Sequence, residues 1–213
     1  MMLERCEYFL SSPLLLHTHT YIHHVSHSYI FSVTVLCKLR RCYNAAKNWQ
    51  LDWYTDDAGS KKLLNPTGGS ASFSPTTLTM VGIAEYAQRT DTENQPVTVK
   101  LETGTTTDYF IGFNRATGAN AQNDEADNEV TITTSGSNGE GYSQSFLKAH
   151  LIKGESYTIL NFAGSGQNLV ITADDINIGT IPAVATICVA YEGQSCVPVD
   201  PTNQPTPPVS YIK

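Results

Sequence analysis

Two histidines in the N-terminal part of the chain have a spacing that could serve zinc chemistry. His19 and His23 lie four positions apart, as the two metal ligands do on the helix of an HExxH zinc protease. In that motif a glutamate follows the first histidine and acts as general base for the metal-bound water. Thr20 occupies that position here. We therefore interpret both histidines as part of a His-rich run rather than as a zinc site.

Three other stretches contain residue types that could do chemistry. Residues 141–145 read Gly-Tyr-Ser-Gln-Ser, which departs from a nucleophile elbow at the last position, and nothing near His150 indicates the base of a triad. Residues 164–169 lack the third glycine of a dinucleotide-binding loop. The carboxylates of residues 123–129 could hold Ca²⁺, but they lack EF-hand spacing and predict a solvated acidic loop. We predict no catalytic, cofactor-binding or metal-ligating residue in this chain.

The elements that must position these residues are mainly strands. From Thr76 onward, segments rich in β-branched and aromatic residues alternate with turns at a spacing that favours a sandwich or barrel. An Asn-Gly turn is expected at 137–141. We predict an antiparallel β-sandwich of about eight strands, preceded by one short helix. The predicted strands are 78–87, 97–101, 109–113, 130–134, 145–152, 156–162, 169–172 and 183–191.

Changes in composition divide the chain into four segments. The first is rich in His, Ser, Tyr and Leu, has no sustained periodicity, and contains no glycine, since the first glycine is Gly59. We interpret it as unstructured, or as translated sequence that does not belong to the folded protein. The last is rich in proline and is expected to be extended. The segments are 1–40, unstructured or spurious; 41–75, a helix and loop; 76–191, the β-sandwich; and 192–213, the Pro-rich tail.

Charge and composition exclude several classes of function. The net charge is −7, and charged residues make up 15% of the chain, below the ~25% typical of soluble domains. The one dense basic cluster, residues 38–41, is too short to form a broad nucleic-acid surface. No apolar run approaches the ~20 residues of a membrane span, and the N-terminus lacks the charge pattern and cleavage site of a signal peptide. We therefore predict no nucleic-acid partner and no membrane span.

The chain has five cysteines, an odd number that leaves at least one without a partner in the same chain. Cys188 and Cys196 flank a turn-like stretch and could close a short loop. The alternative is that both are free thiols in a reducing compartment. The Thr- and Ser-rich β context favours the disulfide, because disulfides persist in oxidising compartments.

One stretch carries a resemblance to a known family. Residues 42–54 read CYNAAKNWQLDWY, which resembles the C-[FY]-N-A-A-K-x-W-Q-x-x-W-Y segment of gametolysin-like zinc metallopeptidases, peptidase M11 of the metzincin type. The resemblance continues through 81–86, 107–118 and 141–147, covers about 41–190, and is closest in character to algal and diatom members. It gives a structural role to four signature residues: Cys42, Asn44, Trp49 and Trp53.

The resemblance implies a secreted zinc endopeptidase that cleaves extracellular-matrix or cell-wall glycoproteins. In that family the zinc ligands lie upstream, in an HExxH helix with a third histidine, followed by a Met-containing turn. The residues before Cys42 contain neither element, so no catalytic or metal residue carries over. We therefore predict the C-terminal fragment of such an enzyme, inactive alone, in which 41–75 is the end of the peptidase core. Its expected partners are the missing core or a matrix glycoprotein, and zinc belongs to the full-length family.

The alternative function is a stand-alone extracellular β-sandwich that binds cell-surface glycan or protein. Aromatic side chains exposed along one face of the sandwich would favour this alternative. An apolar patch around Trp49 and Trp53 would favour the fragment, because a missing core would leave that patch bare.

Overall fold

The structure is a computed structural model that describes residues 42–55, 59–123, 125–136 and 143–196. The N-terminal segment 1–40 with its histidines, the Asn-Gly turn at 137–141 and most of the Pro-rich tail lie outside these ranges. None of the helices within the described ranges has the length and apolar character needed to cross a bilayer.

The described residues form a mainly β fold of two sheets packed face to face. One sheet has five strands in the order β1-β3-β4-β5-β6, and the other has four in the order β2-β9-β8-β7. The predicted β-sandwich is thus confirmed, with nine strands instead of about eight and with one parallel pair, β1 with β3. The strands are β1 Lys61–Leu64, β2 Thr76–Val81, β3 Thr98–Leu101, β4 Thr107–Asn114, β5 Glu129–Gly136, β6 Ser145–Leu151, β7 Ser156–Ile159, β8 Leu169–Asn177 and β9 Val184–Tyr191.

The main core lies between the two sheets, because alternate residues of each strand point inward. In β5, Val130 and Ile132 face the core, and the register places them opposite Leu151 and Ala149 of β6. The four-stranded sheet contributes matching rows of fully buried side chains. These are Leu169, Ile171, Ala173, Ala185, Ile187 and Val189.

Two regions differ from the strands predicted from the sequence. β1 was not predicted, because Lys61-Lys62 precede only two apolar residues, yet the strand pairs in parallel with β3. The predicted strand 78–87 ends early at Val81, and Ile83–Gln88 form a 3₁₀ helix. Glu85 lies in this 3₁₀ helix and anchors it. Its carboxylate is buried, and its Oε2 accepts a hydrogen bond from the Ala183 backbone N–H at 2.8 Å.

The single α-helix of the described ranges, α1, spans Ala45–Gln50 and is the one short helix predicted within 41–75. Asn44 caps its N-terminus, because the Asn44 side chain accepts a hydrogen bond from the Lys47 N–H. The helix stops soon after Gln50 because Asp52 and Tyr54 have left-handed backbone conformations, with φ of 54° and 60°. Trp53 therefore lies beyond the helix.

Helix α1 covers the outer face of the five-stranded sheet. Ala45, Ala46 and Phe110 form a second buried cluster there, and the Trp49 ring packs at 6.2 Å from the Phe110 ring. The close approach requires Gly112, because a Cβ at that position would lie only 3.1 Å from the Ala45 Cβ. Both α1 and β1 are thus integrated into the sandwich, which therefore includes residues upstream of the predicted boundary at Thr76.

We predict that Gly112→Val lifts α1 from the sheet, because the added methyl groups overlap Ala45. Overpacking of this kind costs roughly 1–3 kcal/mol of unfolding free energy. Urea denaturation followed by tryptophan fluorescence measures it directly, since the chain has two tryptophans and both lie at this helix. Gly136→Val in β5 is the matched control, because the nearest atom to its added Cβ is 3.8 Å away. Equal destabilisation by both variants would contradict the prediction.

Candidate functional site

The family-like stretch 42–54 lies on the outer face of the five-stranded sheet, and its signature side chains hold it there. The Asn44 side chain accepts from the Lys47 N–H at 3.0 Å and donates to Ser145 Oγ at 2.9 Å, which ties the helix start to β6. Trp49 packs between Phe110 and the Lys61 ammonium, which lies 5.4 Å from the ring centroid. All of these contacts serve to hold the helix on the sheet.

The two tryptophans do not form a bare patch. Trp53 packs edge-on against Tyr43 at 5.2 Å between ring centroids, and both tryptophans are half-buried. Among the side chains that the structure describes, Phe146 on β6 is the one exposed aromatic, at 56%. Neither the apolar patch nor the row of exposed aromatics that would discriminate the two functions is therefore found in the described part of the chain.

A cavity of about 310 Å³ opens at the N-terminal end of α1. One wall is the start of the helix segment, Cys42 to Ala45, and the floor is the outer face of β4 and β5 at Gly112 and Thr131. The opposite wall is the loop after β4, which includes Asn120 and Glu125. The chain thus enters the described fold at the rim of this cavity.

A β-bulge turns an apolar side chain of β6 into the cavity. The register pairs Ala149 with Ile132 and Leu147 with Thr133, so Lys148 is the extra residue between them. In a regular strand, Leu147 and Ala149 would point to the same, inward face. The extra residue shifts the alternation, so Leu147 lies beside Thr133 on the outer face. Leu147 therefore lines the cavity while remaining 43% exposed.

The amides that line the cavity are occupied by one another and by the backbone. Asn120 accepts from the Cys42 N–H at 3.3 Å and donates to Asn114 Oδ1 at 2.8 Å and to the Arg115 carbonyl at 3.0 Å. Asn114 in turn donates to the carbonyls of Glu125 and Ala126. These hydrogen bonds hold the loop in place. Because the amide groups already have partners, they provide few donors and acceptors for a polar ligand.

The arginine of this loop is also paired within the fold. Arg115 Nη1 donates to Asn128 Oδ1 at 2.6 Å, and its Nε lies 3.6 Å from the buried Glu85 carboxylate. This pairing fixes the loop that carries the predicted acidic stretch 123–129. Within the described residues, no group of three or more His, Cys, Asp or Glu side chains is placed to hold a metal ion.

The serine and histidine considered for nucleophilic catalysis are not brought together. Ser143, the serine in the nucleophile position of that stretch, lies just before β6, whereas His150 lies five positions beyond the first residue of the strand, roughly 16 Å along it. His150 Nδ1 contacts Glu129 Oε2 at 2.5 Å on the surface, and Ser145 Oγ accepts from Asn44. Cys188 and Cys196 are joined by a disulfide.

A buried charged cluster at the ends of β3 and β4 was missed by the sequence analysis. Lys100 Nζ lies 2.8 Å from Glu102 Oε2 and 2.9 Å from Asp108 Oδ2, and only 6% of Lys100 and 1% of Asp108 are exposed. The alternation of residues 97–101 correctly puts Lys100 on the outer face of the sheet. A side chain on that face is expected to be exposed to solvent, but α1 lies over it, and no sequence pattern indicates this cover.

Hydrogen bonding favours the charged forms of Lys100 and Glu102. Burial alone would lower the pKa of the Lys100 ammonium, but its hydrogen bonds to Glu102 and Asp108 outweigh burial and hold that pKa above its usual value. The hydrogen bond from Lys100 holds the pKa of the Glu102 carboxyl below its usual value. Lys100 is therefore held as an ammonium and Glu102 as a carboxylate.

Comparisons of the chain with protein-family models, with curated proteins and with solved structures find no match.

We predict that Asn120→Ala loosens the entry of the chain into the fold, because it removes the acceptor of the Cys42 N–H and two further hydrogen bonds. Leaving buried partners unsatisfied costs about 1–3 kcal/mol of unfolding free energy. Thermal unfolding of the full chain measures this loss. Asn177→Ala serves as the control, because Asn177 is exposed and its side chain caps only the Gly179 N–H. An Asn120→Ala protein as stable as the control would refute the structural role of the network.

Proposed function

We propose that this chain is the non-catalytic C-terminal part of a gametolysin-like zinc metalloendopeptidase and that its β-sandwich packs against the peptidase core. The substrates of the whole enzyme would be extracellular-matrix or cell-wall glycoproteins. The resemblance of residues 42–54 to the family supports the identity of that core. The Cys188–Cys196 disulfide supports an extracellular location.

The cavity at the start of α1 is the observation that carries this proposal. Its lining includes Cys42 and Tyr43, the first residues of the described part of the chain. Its polar lining is internally satisfied, which disfavours a sugar or other polar ligand, since such a ligand needs free donors and acceptors. A protein segment that covers the cavity would instead bind through apolar contacts and a complementary shape.

The apolar contact is available on β6 beside the cavity. Leu147 lines the cavity, and its neighbour Phe146 is exposed at 56%. The β-bulge at Lys148 puts Leu147 on the same face as α1. An exposed leucine at a cavity mouth is suited to contact a protein segment, whereas Phe146 points to the opposite face of the strand.

The second candidate is a stand-alone extracellular β-sandwich that binds cell-surface glycan or protein. The open edge of β6 with Phe146 favours a protein ligand for such a module. A glycan platform usually presents several aromatic faces, and the described part of this chain exposes one.

We predict that Leu147→Asp weakens binding of the full chain to a separately produced gametolysin-like catalytic core by roughly tenfold or more, because it places a charge in an apolar contact. Isothermal titration calorimetry gives the dissociation constants. Leu63→Asp is the matched control, because Leu63 is a similarly exposed leucine on β1, at the opposite edge of the same sheet.

Three results would count against the proposal. Wild-type chain that does not bind the core, or equal weakening by both variants, would remove the docking role. Chelator-sensitive peptide hydrolysis by the purified chain would contradict a non-catalytic part. Binding of the chain alone to cell-wall glycan, unaffected by Leu147→Asp, would favour the second candidate.

A further inference from the structure

We propose that Lys100 and Asp108 form an intramolecular isopeptide bond, with Glu102 as the proton carrier. The proposal concerns the charged cluster at the ends of β3 and β4 and is independent of the proposed function. It assigns a covalent modification to side chains that the peptidase resemblance leaves without a role.

The amine and the carboxyl group are held at reacting distance. Lys100 Nζ lies 2.9 Å from Asp108 Oδ2, and the two residues sit diagonally on adjacent strands, since the register places Phe110 opposite Lys100. Holding two groups in this way gives well-oriented intramolecular reactions an effective concentration of roughly 10⁵–10⁸ M. An amine and a carboxylate do not condense in dilute water, but an effective concentration of this size favours the amide.

The Asp108 carboxyl is oriented for attack at its carbon. Oδ1 accepts two hydrogen bonds from Thr103, one from its backbone N–H at 3.0 Å and one from its hydroxyl at 3.2 Å. These two donors would stabilise the negative charge that develops on Oδ1 in a tetrahedral intermediate. Apart from the Lys100 ammonium, Oδ2 has no partner among the described residues, so it is the oxygen that can leave.

Glu102 is placed to move the protons. Its Oε2 lies 2.8 Å from Lys100 Nζ, and its Oε1 is held by the Gly104 N–H at 3.0 Å. The carboxylate takes a proton from the ammonium, which frees the nitrogen lone pair to attack Asp108 Cγ. Glu102 then passes protons from nitrogen to Oδ2, the Cγ–Oδ2 bond breaks, and one water leaves. Two N–H protons move to Oδ2, an amide bond forms, and Glu102 is unchanged.

The surroundings favour the neutral product. Lys100 and Asp108 are almost fully buried, and burying two charges carries a desolvation cost that a neutral amide does not have. Helix α1 provides part of the cover: Trp49 packs on Phe110, and Gln50 donates to Ser135, which the register places opposite Asp108. The bond would join β3 to β4 covalently beneath this helix.

Mass spectrometry of the full chain tests the proposal after denaturation and reduction. The expected result is a mass lower than that of the sequence by one water molecule, in protein incubated at about pH 9, closer to the ordinary pKa of lysine. Trypsin locates the bond, because it cleaves an unmodified chain after Arg89, Lys100 and Arg115. An acylated Lys100 resists cleavage, so residues 90–115 would stay together as one peptide lacking one water.

Glu102→Gln is the variant that tests the mechanism. It keeps the shape of a partly exposed side chain and one of its two acceptor oxygens, so it should fold, and circular dichroism checks this. Because the amide cannot carry the proton, the variant should crosslink roughly 10²-fold more slowly or worse. Asp108→Ala should show the full mass and normal cleavage after Lys100.

Three alternative results would contradict the crosslink or its mechanism. Wild-type protein that keeps its full mass after incubation shows that the cluster is only a buried ion pair. Loss of one water with normal cleavage after Lys100 shows a succinimide at an aspartate and excludes the crosslink. Crosslinking of a folded Glu102→Gln protein at the wild-type rate removes Glu102 from the mechanism.

Discussion

The packing of helix α1 on the outer face of the five-stranded sheet is the contact on which the other features of this molecule depend. It is possible because Ala45 meets Gly112 without a side chain between them and because Trp49 covers Phe110. An antiparallel sheet usually leaves one face to solvent. Here the helix makes part of that face an interior, and every polar group beneath or beside it then needs a partner.

Two polar systems follow from that cover. At the C-terminal end of α1, Lys100 and Asp108 are buried and must pair, which brings an amine, two carboxylates and the Thr103 donors into one cluster. At the N-terminal end, the asparagines of the loop after β4 satisfy one another and anchor the Cys42 N–H. In the Lys100–Asp108 cluster, the amine and the carboxyl group are close enough to react with each other. The asparagine network uses its own polar groups, so the mouth of the cavity is left apolar for a covering protein segment.

Much of the fold could be predicted from the sequence, but less of the site. Alternation and β-branched content located eight strands, because those signals act within one strand. β1 was missed because its place in the sheet comes from parallel pairing with β3, a long-range contact that its Lys-Lys-Leu-Leu sequence does not indicate. The buried cluster was missed for the same reason: Lys100 reads as a solvent-facing strand residue, and only the tertiary position of α1 buries it.

Hydrogen–deuterium exchange of the full chain measures this central contact most directly. If α1 is a fixed cover, its amides at Asn48 and Leu51, which donate to Asn44 and Lys47 carbonyls, should exchange nearly as slowly as those of β4 beneath it. A helix of six residues has no stability of its own in water, so protection can come only from docking. Fast exchange throughout α1 with slow exchange in β4 would contradict the account.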